Sequence, residues 1–255
     1  MLSLTLLAAT PSSKQIMIPV WLHILSIISL LLGFLAAAII IADEWRHPQH
    51  MWIMNLVWPL CALFGSVLWL WFYFRHGRTR KMKAEGADHH EHGHASPFPI
   101  TVAKGTSHCG AGCTLGDICA EWLAFAFPAI AAWLGWQTIF SEKMFAVWIL
   151  DFVLAYLFGV FFQYFSIAPM RDLGLPDGIW AAVKADTLSL TAWQIGMYGF
   201  MAVAFFWIFR DLLGSKLEVA SPEFWFMMQI AMLCGFVTSY PVNWWLIKAG
   251  LKEEM

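Results

Sequence analysis

Six stretches of this chain, near residues 17–42, 51–74, 113–137, 144–168, 187–209 and 224–247, stay apolar over a length that can cross a bilayer. A helix needs about 20 residues to do so. Inside lipid only the chain itself can satisfy backbone N–H and C=O groups, so runs of this length are helices. The expected fold is all-α: a polytopic integral membrane helical bundle of about six transmembrane helices, in contact with the lipid bilayer. Composition agrees, with 60% hydrophobic and only 13% charged residues among 255, including 16 Trp and 21 Phe. A net charge of −2 and the lack of a basic stripe give nucleic acid nothing to hold.

Polar punctuation divides the chain. Residues 1–83 form an N-terminal two-helix region, whose helices are separated by the turn Asp43–His50. Residues 84–107 form a Gly- and His-rich linker, and residues 108–255 a four-helix membrane domain. The first ten residues resemble a short signal core without a positive n-region. Lys and Arg set orientation. With six crossings and both termini inside, eleven of them fall inside and four (Arg46, Lys143, Arg210 and Lys216) outside. The expected location is an inner (cytoplasmic) membrane, N-in and C-in, with the linker inside.

The chemistry concentrates between His108 and Trp122. Cys109, Cys113, Asp117 and Glu121 recur every four residues. A helix turns about 100° per residue, so each step drifts only about 40° and the four share one face. Gly112, Gly116, Ala120 and Ala124 run beside them as a small-residue track for close helix packing. Ionisable groups at membrane depth are costly and mark sites. Thiolate and imidazole suit copper(I) or zinc, so His108, Cys109 and Cys113 are candidate soft-metal ligands, with Asp117 and Glu121 as a deeper oxygen level. Cys109 and Glu121 lie about 18 Å apart along the helix rise, too far for one ion. The five cysteines fit no secreted disulfide framework, and Cys119 points to the opposite side. The same groups also read as helix-to-helix hydrogen bonds.

Other polar residues are expected at the same depth: Gln163 and Tyr164, Asp186, Thr191, Gln194 and Tyr198, and Cys234, Thr238 and Asn243 near Pro241. A second candidate site is the turn face His47, His50, Met51 and Met54, spaced i, i+3, i+4, i+7 like an outer entry point for copper. The tract Asp88–His94 offers four His that bind metal with little selectivity. His23 and His76 are candidate axial ligands of a haem, the least favoured option.

The runs His108–Asp117, Phe162–Arg171, Lys184–Ala192 and Tyr240–Leu246 resemble bacterial membrane proteins of the DUF4396 family, and Pro48–Asn55 with Val57-Trp58-Pro59 is similar to members with a two-helix extension. The resemblance implies an integral membrane fold and no established reaction. From residue chemistry, the expectation is a protein that binds a transition metal, copper first and zinc or iron after it, and carries it across the membrane. Asp117, Glu121 and Asp186 would compensate charge or couple protons. Six helices make a small transporter, so this reading implies a homo-oligomer. Two alternatives use the same residues: a membrane-bound metalloenzyme or redox enzyme acting on a lipid or quinone, and an accessory subunit whose polar groups only join helices.

Overall fold

The computed structural model describes residues 18–79, 96–171 and 174–252. Its helices in chain order are α1 (Val20–Glu44), α2 (Met54–Phe72, continued by a wider π turn, Tyr73–Gly77), α3 (Phe98–Ala126), the short α4 (Pro128–Trp133), α5 (Lys143–Arg171), α6 (Leu175–Ala202, continued by a π segment, Val203–Leu212) and α7 (Pro222–Lys248). The all-α membrane bundle is thus the fold, and five segments are long and apolar enough to cross a membrane, Met54–Gly77 among them.

That segment is not one straight helix. At Ser66 the backbone leaves the helix (φ 47°, ψ −127°) and the chain turns back on itself. Trp58 in the first arm stacks edge-on against Tyr73 in the second at 5.6 Å, and Phe64 meets Trp69 across the tip at 5.0 Å. At the open ends, Thr79 donates to Gln49 at 3.3 Å. Asp43 takes Arg78 at 2.8 Å and the Tyr73 hydroxyl at 2.9 Å. Residues 54–77 therefore form a re-entrant helical hairpin, entering and leaving at one end. A positive φ is sterically unfavourable for a side-chain-bearing residue. Gly65 eases the reversal, because a Cβ there would run into the Trp69 ring.

The other long helices alternate. α1 and α7 run parallel, tied by His23–Glu223 at 2.6 Å and Ser29–Gln229 at 2.7 Å. α3 runs antiparallel to α7, from Phe98 against Trp244 at one end to Trp122 against Trp225 at the other. α5 runs antiparallel to α3 and α6 antiparallel to α5, with Tyr156 on Thr187 and Trp148 on Tyr198. Five long helices, α1, α3, α5, α6 and α7, thus run side by side through the bundle. α1 starts and α7 starts at one end of the bundle, here the amino end; α7 finishes at the other, the carboxy end. The expectation of six straight spans is thus corrected for one segment, residues 54–77, which forms a hairpin.

Helix starts also differ from expectation. α3 begins at Phe98 rather than 113, with Pro99 in its first turn, where a missing N–H costs nothing. It stops at Phe127 (φ −126°, ψ 77°), since the residue before Pro128 is driven out of the helical region. α6 begins at Leu175 rather than 187, again with Pro in the first turn. α3 falls below the apolarity of the five candidate spans because its polar row interrupts it. It nonetheless runs through the centre of the bundle, with His108, Cys109, Cys113 and Asp117 each 0–1% exposed.

Candidate functional site

The small-residue track decides how closely α3 can be approached. A Cβ on Gly112 would sit 2.8 Å from the Gly159 Cα, and one on Gly116 would strike the Ala155 backbone. α3 and α5 therefore touch backbone to backbone, leaving the Cys/acid face to look toward α6. On that face the polar groups separate into two levels.

Toward the carboxy end, Cys109 is enclosed. Its thiol donates to Asp186 Oδ1 at 2.8 Å, lies 2.9 Å from Ser189 Oγ, and accepts from Lys252 Nζ at 2.9 Å. Asn243 closes the ring, accepting from Lys252 Nζ at 2.8 Å and donating to Ser189 Oγ at 2.7 Å. Lys252 Nζ and Asp186 Oδ1 are 3.8 Å apart, both side chains at most 1% exposed. The lysine arrives because α7 ends in a Schellman turn. Gly250 (φ 68°) bonds to Ile247 O and Leu251 to Leu246 O, which folds the last described residues back over the helix end.

Two turns away, about 12 Å along α3, lies Asp117. Gln194 of α6 stands beside it, and Asp151 of α5 lies within electrostatic reach of both Asp117 and Glu121. No hydrogen bond of 3.5 Å or less reaches either oxygen of Asp117 or Asp151 or either polar atom of the Gln194 amide, though all three residues are at most 2% exposed. Burying such groups unpaired costs several kcal/mol, about 2–7 even for a neutral amide. Glu121, one turn further, lines a cleft of about 770 Å³ that opens at the amino end among Glu142, Lys143, Arg210 and Lys216. An apolar groove of about 310 Å³ between α1, α3 and α7 also reaches Asp117, from the lipid-facing side where Phe34 and Trp122 are exposed. A lipid-borne substrate would need such a lateral opening.

The remaining expected residues are placed as follows. His108 turns away from Cys109 and meets Ser166 Oγ of α5 at 2.7 Å, so the structure does not bring it together with the cysteines. Cys113 is buried on the shared face. Asp186 joins Cys109 rather than Asp117, correcting the single depth expected for the three acids. Thr191 donates to Thr187 O of its own helix at 2.7 Å and takes no part in either level. Gln163 is buried with its amide unpartnered.

His47, His50 and Met51 precede α2 and do not continue its helical row. His47 is held by Asp43 and Arg78, Met54 is buried in the core, and the turn lies at the carboxy end. The proposed outer entry therefore sits at the same end as Cys109 and Lys252, not opposite them. His23, bound to Glu223, and His76 lie at opposite ends and cannot share a haem. The His tract 88–94 lies outside the described residues. Asp151 and Lys252 were not foreseen. Asp151 is a lone acid in an apolar run, which is itself the signal; for Lys252 it is the Lys248-Ala249-Gly250 helix end. Among the described residues, no group of three or more His, Cys, Asp and Glu is arranged to hold a metal ion.

The family described as "Domain of unknown function (DUF4396)" matches residues 100–252. The chain belongs to the DUF4396 family. The DUF4396 region starts in the first turn of α3 and ends at Lys252, so it contains both polar levels, while α1 and the hairpin precede it. No curated protein and no solved structure matches the chain.

Proposed function

We propose that this DUF4396 protein binds a cation within the membrane and carries it across, with Asp117, Asp151 and Gln194 as the carrier site. One observation carries the reading: two buried carboxylates and an amide, none hydrogen-bonded within 3.5 Å, with Glu121, one turn along α3 from Asp117, lining the amino-end cleft. Carboxylates buried without donors persist when a proton or a bound cation neutralises them. An all-oxygen donor set favours a hard cation, a proton or a small metal ion, over copper. Intramembrane acids facing a bundle interior serve this purpose in pumps and transporters.

The orientation follows from charge. Among the described residues, the carboxy end has Arg46, Arg75, Arg78, Lys104, Arg171, Lys184, Lys248 and Lys252, and the amino end only Lys143, Arg210 and Lys216. The positive-inside rule puts the carboxy end in the cytoplasm. The amino-end cleft then faces out, and the start of α1 faces out with it. Single cysteines at Trp45 and Lys216, labelled with an impermeant maleimide on intact cells, check this. The expected result is Lys216→Cys labelled and Trp45→Cys protected. Labelling of both from one side would restore six crossings.

Flux tests the function. In proteoliposomes, an internal pH dye reports protons, and internal metal dyes report manganese(II) and copper(I). Asp117→Asn and Asp151→Asn are each expected to lower the flux of the carried cation at least a hundredfold with unchanged folded yield. Wild-type rates equal to empty vesicles for every cation, or full flux in both variants, refute the proposal.

A second reading keeps copper(I) at Cys109 and Cys113, and rests on both thiols facing the bundle interior on the face that carries the acids. It requires Lys252 to leave Cys109. It predicts copper bound by the purified protein and lost in Cys109→Ser with Cys113→Ser, but not in Cys61→Ser or Cys119→Ser.

A further inference from the structure

The ring around Cys109 has the composition of a cation site, and a cation already occupies it. Lys252 Nζ sits 2.9 Å from Cys109 Sγ, 2.8 Å from Asn243 Oδ1 and 3.8 Å from Asp186 Oδ1, in a pocket where its side chain is fully buried. Ser189 and Asn243 are held in place by Ser239, whose hydroxyl donates to the Ser189 carbonyl at 2.8 Å. These groups are fixed by α3, α6 and α7 and do not depend on the lysine for their positions. The lysine is the one member that belongs to no crossing helix. It follows the Gly250 reversal by two residues, and rotation there would withdraw it toward the carboxy end. Asp186 Oδ2 has no partner and lies against Gly159, where any Cβ would displace it, so the carboxylate has unused acceptor capacity.

We infer that Asp186, Cys109, Ser189 and Asn243 form a second cation site, and that the Lys252 ammonium is a tethered occupant which a free monovalent cation of similar size replaces. The site lies about 12 Å along α3 from Asp117, between the carrier site and the carboxy end. This rests on the proposed cation pathway for its purpose but not for its existence as a binding site. Lysine donates and never accepts, so it mimics a cation in such a ring. While it stays, the carboxy-end half of the path is closed.

The probe is thallium(I), an ammonium-sized cation with affinity for both oxygen and sulfur. The readout is the rate of Cys109 alkylation by N-ethylmaleimide in the purified full chain, resolved by mass spectrometry. In the wild type, alkylation is expected to be slow and insensitive to thallium. In Lys252→Met it should rise at least tenfold, and thallium should return it toward the wild-type rate. Lys252→Gln, which keeps a donor toward Asn243 without the charge, should behave alike. Lys252→Met combined with Asp186→Asn should be alkylated quickly whether or not thallium is present.

Three results would overturn the inference: fast alkylation of both single variants that thallium does not slow, slow alkylation in all variants, or failure of both single variants to fold even with thallium while the double variant folds. The last would make Lys252 a permanent counter-ion. Thallium protection without any cation flux in vesicles would leave the second site standing and remove the transport reading. Flux that depends on Asp117, without thallium protection, would do the reverse.

Discussion

Cys109 and Asp117 stand two turns apart on one face of α3 and have opposite surroundings. Around Cys109, acid, thiol, hydroxyl, amide and ammonium form a closed ring whose charges cancel. Around Asp117, two carboxylates and an amide are equally buried, and no basic group pairs with them. The same helix, the same depth of burial and the same kinds of residue thus give a network complete but for Asp186 Oδ2 in one place and a wholly unpaired group in the other. A completed network stabilises and specifies packing; an incomplete one is costly unless something else completes it. On the proposed reading the second level is the place for a ligand, and the first is filled by Lys252.

Amide substitutions break this comparison most directly. Asp186→Asn strands the buried Lys252 charge, and removing one partner of such a pair costs about 3–5 kcal/mol. Asp117→Asn removes a carboxylate that has no partner and should cost no more than about 1 kcal/mol, or raise stability, by relieving buried charge. Thermal unfolding in detergent measures both. Equal losses would mean that the Asp117 level is as complete as the Cys109 level, and the proposed carrier site would fall.

A smaller effect sharpens the account of why the levels form on this face. Gly116→Val drives a branched side chain into the Ala155 backbone and should destabilise by about 1–3 kcal/mol, as overpacking does. Gly199, with nothing within 4 Å of its missing Cβ, should accept Ala with a gain of about 0.5–1 kcal/mol from reduced backbone freedom. If both substitutions act alike, the α3–α5 contact is not what presses the polar face toward α6.

The smallest effect concerns a residue that belongs to neither level. Thr191→Ala removes a half-buried hydroxyl bonded only to its own helix and should change stability by no more than about 0.5 kcal/mol. Cation flux should be unaltered. A clear loss of flux would extend the carrier site along α6 and blur the division between the levels.

Much of this was legible in the sequence, where the physics is local. Apolar length alone announces membrane helices, because lipid forces the backbone to bond within its own segment. Helical periodicity alone groups Cys109, Cys113, Asp117 and Glu121, because a face depends only on spacing. Small residues at 112 and 116 mark the close approach for the same reason.

Tertiary structure decided what depends on distant partners. Gly65-Ser66 reads as an ordinary pair in an apolar helix; the reversal exists because Trp58 finds Tyr73 and Asp43 finds Arg78, at separations of 15 and 35 residues. Which acids share a level depended on where α6 begins and how it slides along α3, so Asp186 paired with Cys109 and left Asp117 to Asp151. The identity of the cation beside Cys109 depended on a turn at Gly250 that brings Lys252 back across 143 residues of sequence. Spacing along a helix fixes which side chains look the same way, but only packing between helices fixes what they look at.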